Sequence, residues 1–232
     1  MTDLNPRSRL TGVLLLTAVI AMIAGAAIVV PSGLTLNPSD PGGVLAAVRE
    51  QAGLHLIELA FDVLGWLALT AAGLVMAGRP AGAPRPYATT LAGGLLAAAG
   101  LAGLLHDAGN LALTQLAADP DAPAAATVAA AVLLTAKWMV NLAGLLWVAA
   151  TVAGAAGIPM PRGLRIAGVV AALSGLASVA LPWTAGTGVL PPAMEQLGYA
   201  LHLPIMIWYA ILGRRYLRDR EQAREAAWQR DA

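Results

Sequence analysis

The chain has no cysteine, a single phenylalanine, and charged side chains at only 12% of its 232 positions. Without cysteine there can be no disulfide, no thiolate metal ligand and no thiol nucleophile. A soluble globular domain carries roughly a quarter charged residues, so about half of the polar surface that water requires is missing. Also missing are a phosphate-cradling glycine loop, a Ser/His/Asp arrangement at catalytic spacing and a surface of interleaved basic and aromatic residues. The last of these absences removes nucleic acid from the list of partners. In their place stands 58% hydrophobic residue, mostly Ala, Leu, Gly and Val. This is the composition of an all-α, polytopic membrane protein.

About 20 apolar residues cross the hydrocarbon core, and six segments are long enough: 10–30, 53–77, 89–117, 124–154, 165–183 and 193–213. Connections are short except the first, 31–52, which opens on turn residues and closes on a short helical pattern. It reads as a cap lying over one end of the bundle. Arginine is concentrated on alternate connections. Arg7 and Arg9 precede span one, Arg79 and Arg85 follow span two, Arg162 and Arg165 separate spans four and five, and a run from Arg214 to Arg224 follows span six. The other connections hold Arg49 alone, balanced by Asp40 and Glu50, and then no basic residue. By the positive-inside rule both termini are expected to be cytoplasmic, in a bacterial inner membrane. The first span is longer than the apolar region of a cleaved signal and is expected to be retained. Residues 214–232 read as a basic cytoplasmic helix, with membrane lipid as the neighbour of its cationic face.

Against this background GLHLIELAFDVLGW, at the start of span two, stands out. At about 100° per residue, His55, Glu58, Asp62 and Trp66 fall within an arc of roughly 80°. In span three His106, Asn110 and Thr114 share a similar arc, with Asp107 at its edge. Span four places Lys137 and Asn141 on one face, and span six lines up Glu195, Tyr199, His202, Met206 and Tyr209. An ionised group facing lipid at mid-depth costs at least a few kcal/mol, so these stripes are expected to turn inward. Counting from the ends of the spans, Asp62, His106, Lys137 and His202 lie roughly 14–20 Å below the outer edge, at 1.5 Å per residue. Spans one and five contain no charged residue internally and read as packing or lipid-facing walls; Ser174, Gly175 and Ser178 suit close helix contact.

The expectation is a buried pocket in the outer half of the bundle, lined by His55, Glu58, Asp62, His106, Asp107, Asn110, Lys137, Asn141, Tyr199 and His202. Lys137 needs a carboxylate, with Asp62 or Asp107 the candidates and Glu58 a third. Three chemistries fit. In the first, the pocket binds or translocates a small apolar or amphipathic molecule with proton coupling, Asp62, His106 and His202 titrating against Lys137. In the second, a membrane enzyme acts on a lipid or isoprenoid, with Glu58, Asp62 or Asp107 as catalytic acid. Its variant uses zinc or iron on His55, Glu58, His106 and His202. Haem b between His106 and His202 is a further cofactor reading, disfavoured by the scarcity of aromatic residues. In the third, the polar centre merely specifies packing in a structural or accessory subunit. Pro204, beside His202, is expected to bend span six.

Spans one and five both open on R-x-x-G, as Arg9–Gly12 and Arg165–Gly168. With the polar connector after span one and Asp62 in span two, the chain resembles a group of uncharacterised six-span bacterial inner-membrane proteins. That resemblance implies the six-span fold and carries no activity with it.

Overall fold

The computed structural model describes residues 6–34, 36–78, 85–119, 124–184 and 191–231. Among them are seven helices and no strand: α1 (Pro6–Ser32), α2 (Pro41–Glu50), α3 (Ala52–Ala77), α4 (Pro86–Leu116), α5 (Ala125–Gly157), α6 (Arg162–Thr184) and α7 (Pro192–Asp231). All except α2 are long and apolar enough to cross a membrane. The spans expected from sequence match these within a few residues. α7 runs on unbroken past the sixth span, and Pro204 is accommodated within it.

Local chemistry sets the helix ends. α1 stops where Gly33 takes φ +71°, a conformation that costs glycine little. Asp40 caps α2 by accepting a hydrogen bond from the Gly43 amide at 2.9 Å, with Pro41 at the first helical position. The helix expected in the first connector is thus a short capped one, Pro41–Glu50. Its apolar face (Val44, Leu45, Val48) packs on Leu113, Ala117, Ala125, Ala129 and Leu133. α2 therefore lies across one end of the bundle, on α3, α4 and α5. The six spans leave both ends of the chain at the opposite face, here the termini end.

The long helices form a closed ring in the order α1, α3, α4, α5, α6, α7, with α7 returning to α1. Apolar interior and apolar lipid offer helices no net hydrophobic drive toward each other, so close approach of backbones has to hold them. The α3–α4 seam shows this. A Cβ on Gly73 would strike the backbone of Gly93 and Ala97, and one on Gly93 would strike Gly73 and Ala77. Aromatic side chains fill the middle of the ring. Trp147 is buried against Trp66 (centroids 5.9 Å), His202 (5.2 Å) and Tyr209 (5.8 Å), and Trp208 stacks edge-on with Tyr209. At the termini end, Arg7 donates to the carbonyl of Gly78 (2.8 Å) and Arg85 to that of Ala156 (2.9 Å), closing off helix carbonyls.

Candidate functional site

α3 and α4 run antiparallel and in close contact, so the polar start of α3 meets the polar end of α4. His55 faces Asn110, and Asp62 faces His106 and Asp107. Nε2 of His55 donates to the backbone carbonyl of Asn110 at 3.4 Å, while Nδ1 lies 3.5 Å from Glu58 Oε2. His55 and Glu58 are both buried. One turn deeper, at about 15 Å from the start of α3, Asp62, His106 and Asp107 each bring a donor atom within 4.8 Å of the others.

Hydrogen bonds fix the state of His106. A carbonyl oxygen only accepts, so Nδ1 must donate to Ala136 of α5, 2.8 Å away. Nε2 is left as the acceptor and takes a hydrogen bond from the Asn110 side-chain amide at 3.0 Å. Asp107 is in the opposite condition. It is 0% exposed, and among the described residues neither carboxyl oxygen receives a hydrogen bond from an N–H or hydroxyl group; its side-chain partner is the carboxyl of Asp62, with which it can share a proton. Buried polar atoms are nearly always paired, and a buried carboxylate without donors is costly.

Six of the ten sequence-predicted pocket residues therefore come together: His55, Glu58, Asp62, His106, Asp107 and Asn110. Lys137, Asn141 and His202 do not join them. Lys137, expected to pair with Asp62 or Asp107, instead forms an ion pair with Glu195 of α7 at 2.5 Å. Asn141 is spent on α6, donating to the Val179 carbonyl (2.9 Å) and accepting from the Trp183 indole (3.1 Å). Tyr199 is 58% exposed, and its phenol lies within electrostatic reach of Glu195, Asp62 and Glu58. His202 lies on the Trp147 ring.

The common cause is the order of helices around the ring. α7 packs on α1 and α6 and touches α5, which brings Glu195 to Lys137 and His202 to Trp147. The same order corrects the expected ligand sets. His55, Glu58, His106 and His202 do not converge; among the described residues the convergent group is Asp62, His106 and Asp107. A haem between His106 and His202 is likewise unsupported, because His202 lies on the Trp147 ring.

Sequence reasoning passed over the Ala136 carbonyl, which no side-chain pattern can show, and Glu195, which it placed in the α7 stripe but outside the pocket. With Lys137 occupied by Glu195, three acids (Glu58, Asp62, Asp107) share one region whose basic groups are histidines. Toward the termini end the region stops at Trp66, which packs so tightly on α4 that a Cβ on Gly103 would collide with its ring. On the outer side of the α4–α5 pair, Leu105, Gly109, Val128, Ala131, Val132 and Ala136 line an apolar surface groove of about 490 Å³. No protein-family model matches the chain, and neither does any curated protein or solved structure.

Proposed function

We propose that this integral membrane protein binds a small positively charged ligand in the α2-end half of its bundle, with proton coupling, as the first step of binding or translocation. The observation that carries the reading is Asp107, fully buried, with both carboxyl oxygens lacking N–H or hydroxyl donors, beside Asp62. Two acids in that setting either share a proton or draw positive charge to them, and Lys137, the chain's single lysine, is committed to Glu195. An acid-lined site without a lysine favours a cation over the apolar or amphipathic molecule expected with Lys137 at its centre.

The proton side of the reading sits one turn above, on His55 and Glu58. Because Nε2 of His55 donates to Asn110, a proton on Nδ1 makes the Glu58 contact an ion pair, and its departure leaves two lone pairs opposed. Charge arriving at Asp62 changes the field on that pair directly. The aromatic packing of Trp66, Trp147 and Tyr209 shuts the site toward the termini end, so translocation requires Trp66 and Trp147 to part. The arginine distribution assigns the termini end to the cytoplasm and the α2 end to the outside of a bacterial inner membrane.

The test is a thermal-shift survey of detergent-purified protein against ammonium, guanidinium, tetramethylammonium and divalent metal salts at matched ionic strength. One class should raise the Tm saturably, and Asp62→Asn should abolish the effect while keeping the wild-type helical spectrum. If no cation acts beyond the ionic-strength control, the polar centre is a packing device and the reading falls.

A further inference from the structure

We propose that Asp62, His106 and Asp107 form a binding site for a divalent first-row transition metal ion. The inference rests on the cation-binding reading above and names the cation's class. Three independent features of the site support it. The donor atoms of the three residues lie within 4.8 Å of one another, on two helices held backbone to backbone. Asp107 is 0% exposed and contributes two oxygens that accept no hydrogen bond from an N–H or hydroxyl group among the described residues. The imidazole of His106 is held in one tautomer by donation from Nδ1 to the Ala136 carbonyl. That outer contact is the one metal-binding histidines usually make, and it makes Nε2 the nitrogen that carries the lone pair, now taken up by the Asn110 amide.

The donor set selects the class of ion. One imidazole nitrogen with two carboxylates suits Zn²⁺, Mn²⁺ or Fe²⁺, whereas Ca²⁺ takes six or more oxygens and Cu⁺ prefers sulfur. Two carboxylates also balance the ion's charge. A metal at about 2.0–2.2 Å from each donor brings the donors to roughly 3–3.5 Å apart, so the two aspartates must close on the ion by rotation about their side-chain bonds. The Asn110 amide, now 3.0 Å from Nε2, must swing aside. Three protein ligands leave at least one coordination position open, and Glu58, one helical turn from Asp62, is the nearest acid on the same face of α3.

The experiment uses the full-length protein in detergent, stripped with chelator and titrated with Zn²⁺, Mn²⁺ or Co²⁺ alone. Calorimetry should show one Zn²⁺ per chain, and Co²⁺ should give a visible absorption band whose intensity reports a low coordination number. Asp107→Asn and His106→Gln should each weaken Zn²⁺ binding by at least about 100-fold and remove the Co²⁺ band, whereas His202→Ala should keep both. If Asp107→Asn does not purify folded, Asp62→Asn, at the less buried ligand, serves in its place. Absence of stoichiometric binding in the wild type, or binding that survives both ligand substitutions, overturns the site. A saturable Tm increase with an organic cation and no metal uptake would overturn the metal while leaving the cation-binding reading standing. With neither effect, both fall.

Discussion

His106 and Ala136 are joined by one hydrogen bond, from Nδ1 to the backbone oxygen at 2.8 Å. It ties α4 to α5 and fixes the tautomer of the imidazole. A helix carbonyl cannot give up a proton, so the other ring nitrogen, Nε2, remains the acceptor. The amide of Asn110 occupies it, and the next residue after His106 is the donor-starved Asp107. The site thus combines a histidine with both ring nitrogens engaged and a buried acid whose side-chain partner is the neighbouring acid, Asp62.

Asp107→Asn should stabilise the ligand-free protein. The amide supplies a donor toward Asp62 and removes one of two neighbouring acids, and relieving an unsatisfied buried group is worth about 1–3 kcal/mol. The Tm of detergent-purified protein in chelator should rise by several degrees. A fall of similar size would show that the Asp107 oxygens accept a hydrogen bond in the folded state, removing the basis of the cation site.

His55→Ala should separate cation binding from proton movement. His55 contacts Glu58 and the Asn110 backbone, not the Asp62–His106–Asp107 group. In proteoliposomes holding a pH-sensitive dye, the cation that stabilises the wild type should evoke a proton signal that falls several-fold in the variant. Its binding in detergent should change little. An unchanged proton signal would take His55 out of the coupling.

The lack of native cysteine makes sidedness directly testable. Ser39, before α2, is exposed, and Gly163, at the start of α6, faces open space. If the arginine-rich end is cytoplasmic, an impermeant maleimide should label Ser39→Cys in intact cells and Gly163→Cys only after lysis. The reverse pattern would invert the direction from which the site fills.

The six spans, the capping connector and the shared face of His55, Glu58, Asp62 and Trp66 were legible in the sequence, because length, hydropathy and a 100° turn per residue determine them. The meeting of that face with His106, Asp107 and Asn110 followed from antiparallel neighbours. What the sequence left open was the partner of each remaining stripe. A helix in lipid has apolar surroundings on every side, so the polar arc of α7 says which residues share a face but not which helix that face meets. Lys137 could reach an acid on several helices by depth alone. The ring order gives it Glu195 and lays His202 on Trp147.

Gly103→Ala should be destabilising out of proportion to one methyl group. Its Cβ would overlap the buried ring of Trp66, and overpacking a tight interior costs about 1–3 kcal/mol. Trp66→Leu removes the ring, so the double variant should recover part of the loss relative to the sum of the singles. Additive losses in thermal unfolding would mean that Trp66 does not close the site on this side.

The Lys137–Glu195 pair offers the sharpest check on the ring order, because it links α5 to α7 and excludes the expected bond between Lys137 and the α3–α4 acids. Both side chains are largely buried, at 22% and 15% exposure. Removing one partner leaves a charge with little water, and the cost should be on the order of 1–3 kcal/mol, somewhat below that of a fully buried pair. Lys137→Met and Glu195→Gln should therefore each lower the Tm, and Lys137→Met with Glu195→Met should return close to wild type. The combination that discriminates is Lys137→Met with Asp107→Asn. If Lys137 served Asp107, the second change would rescue the first. With Glu195 as its partner, Glu195 stays unpaired and the loss from Lys137→Met persists, offset only by the gain that Asp107→Asn shows alone.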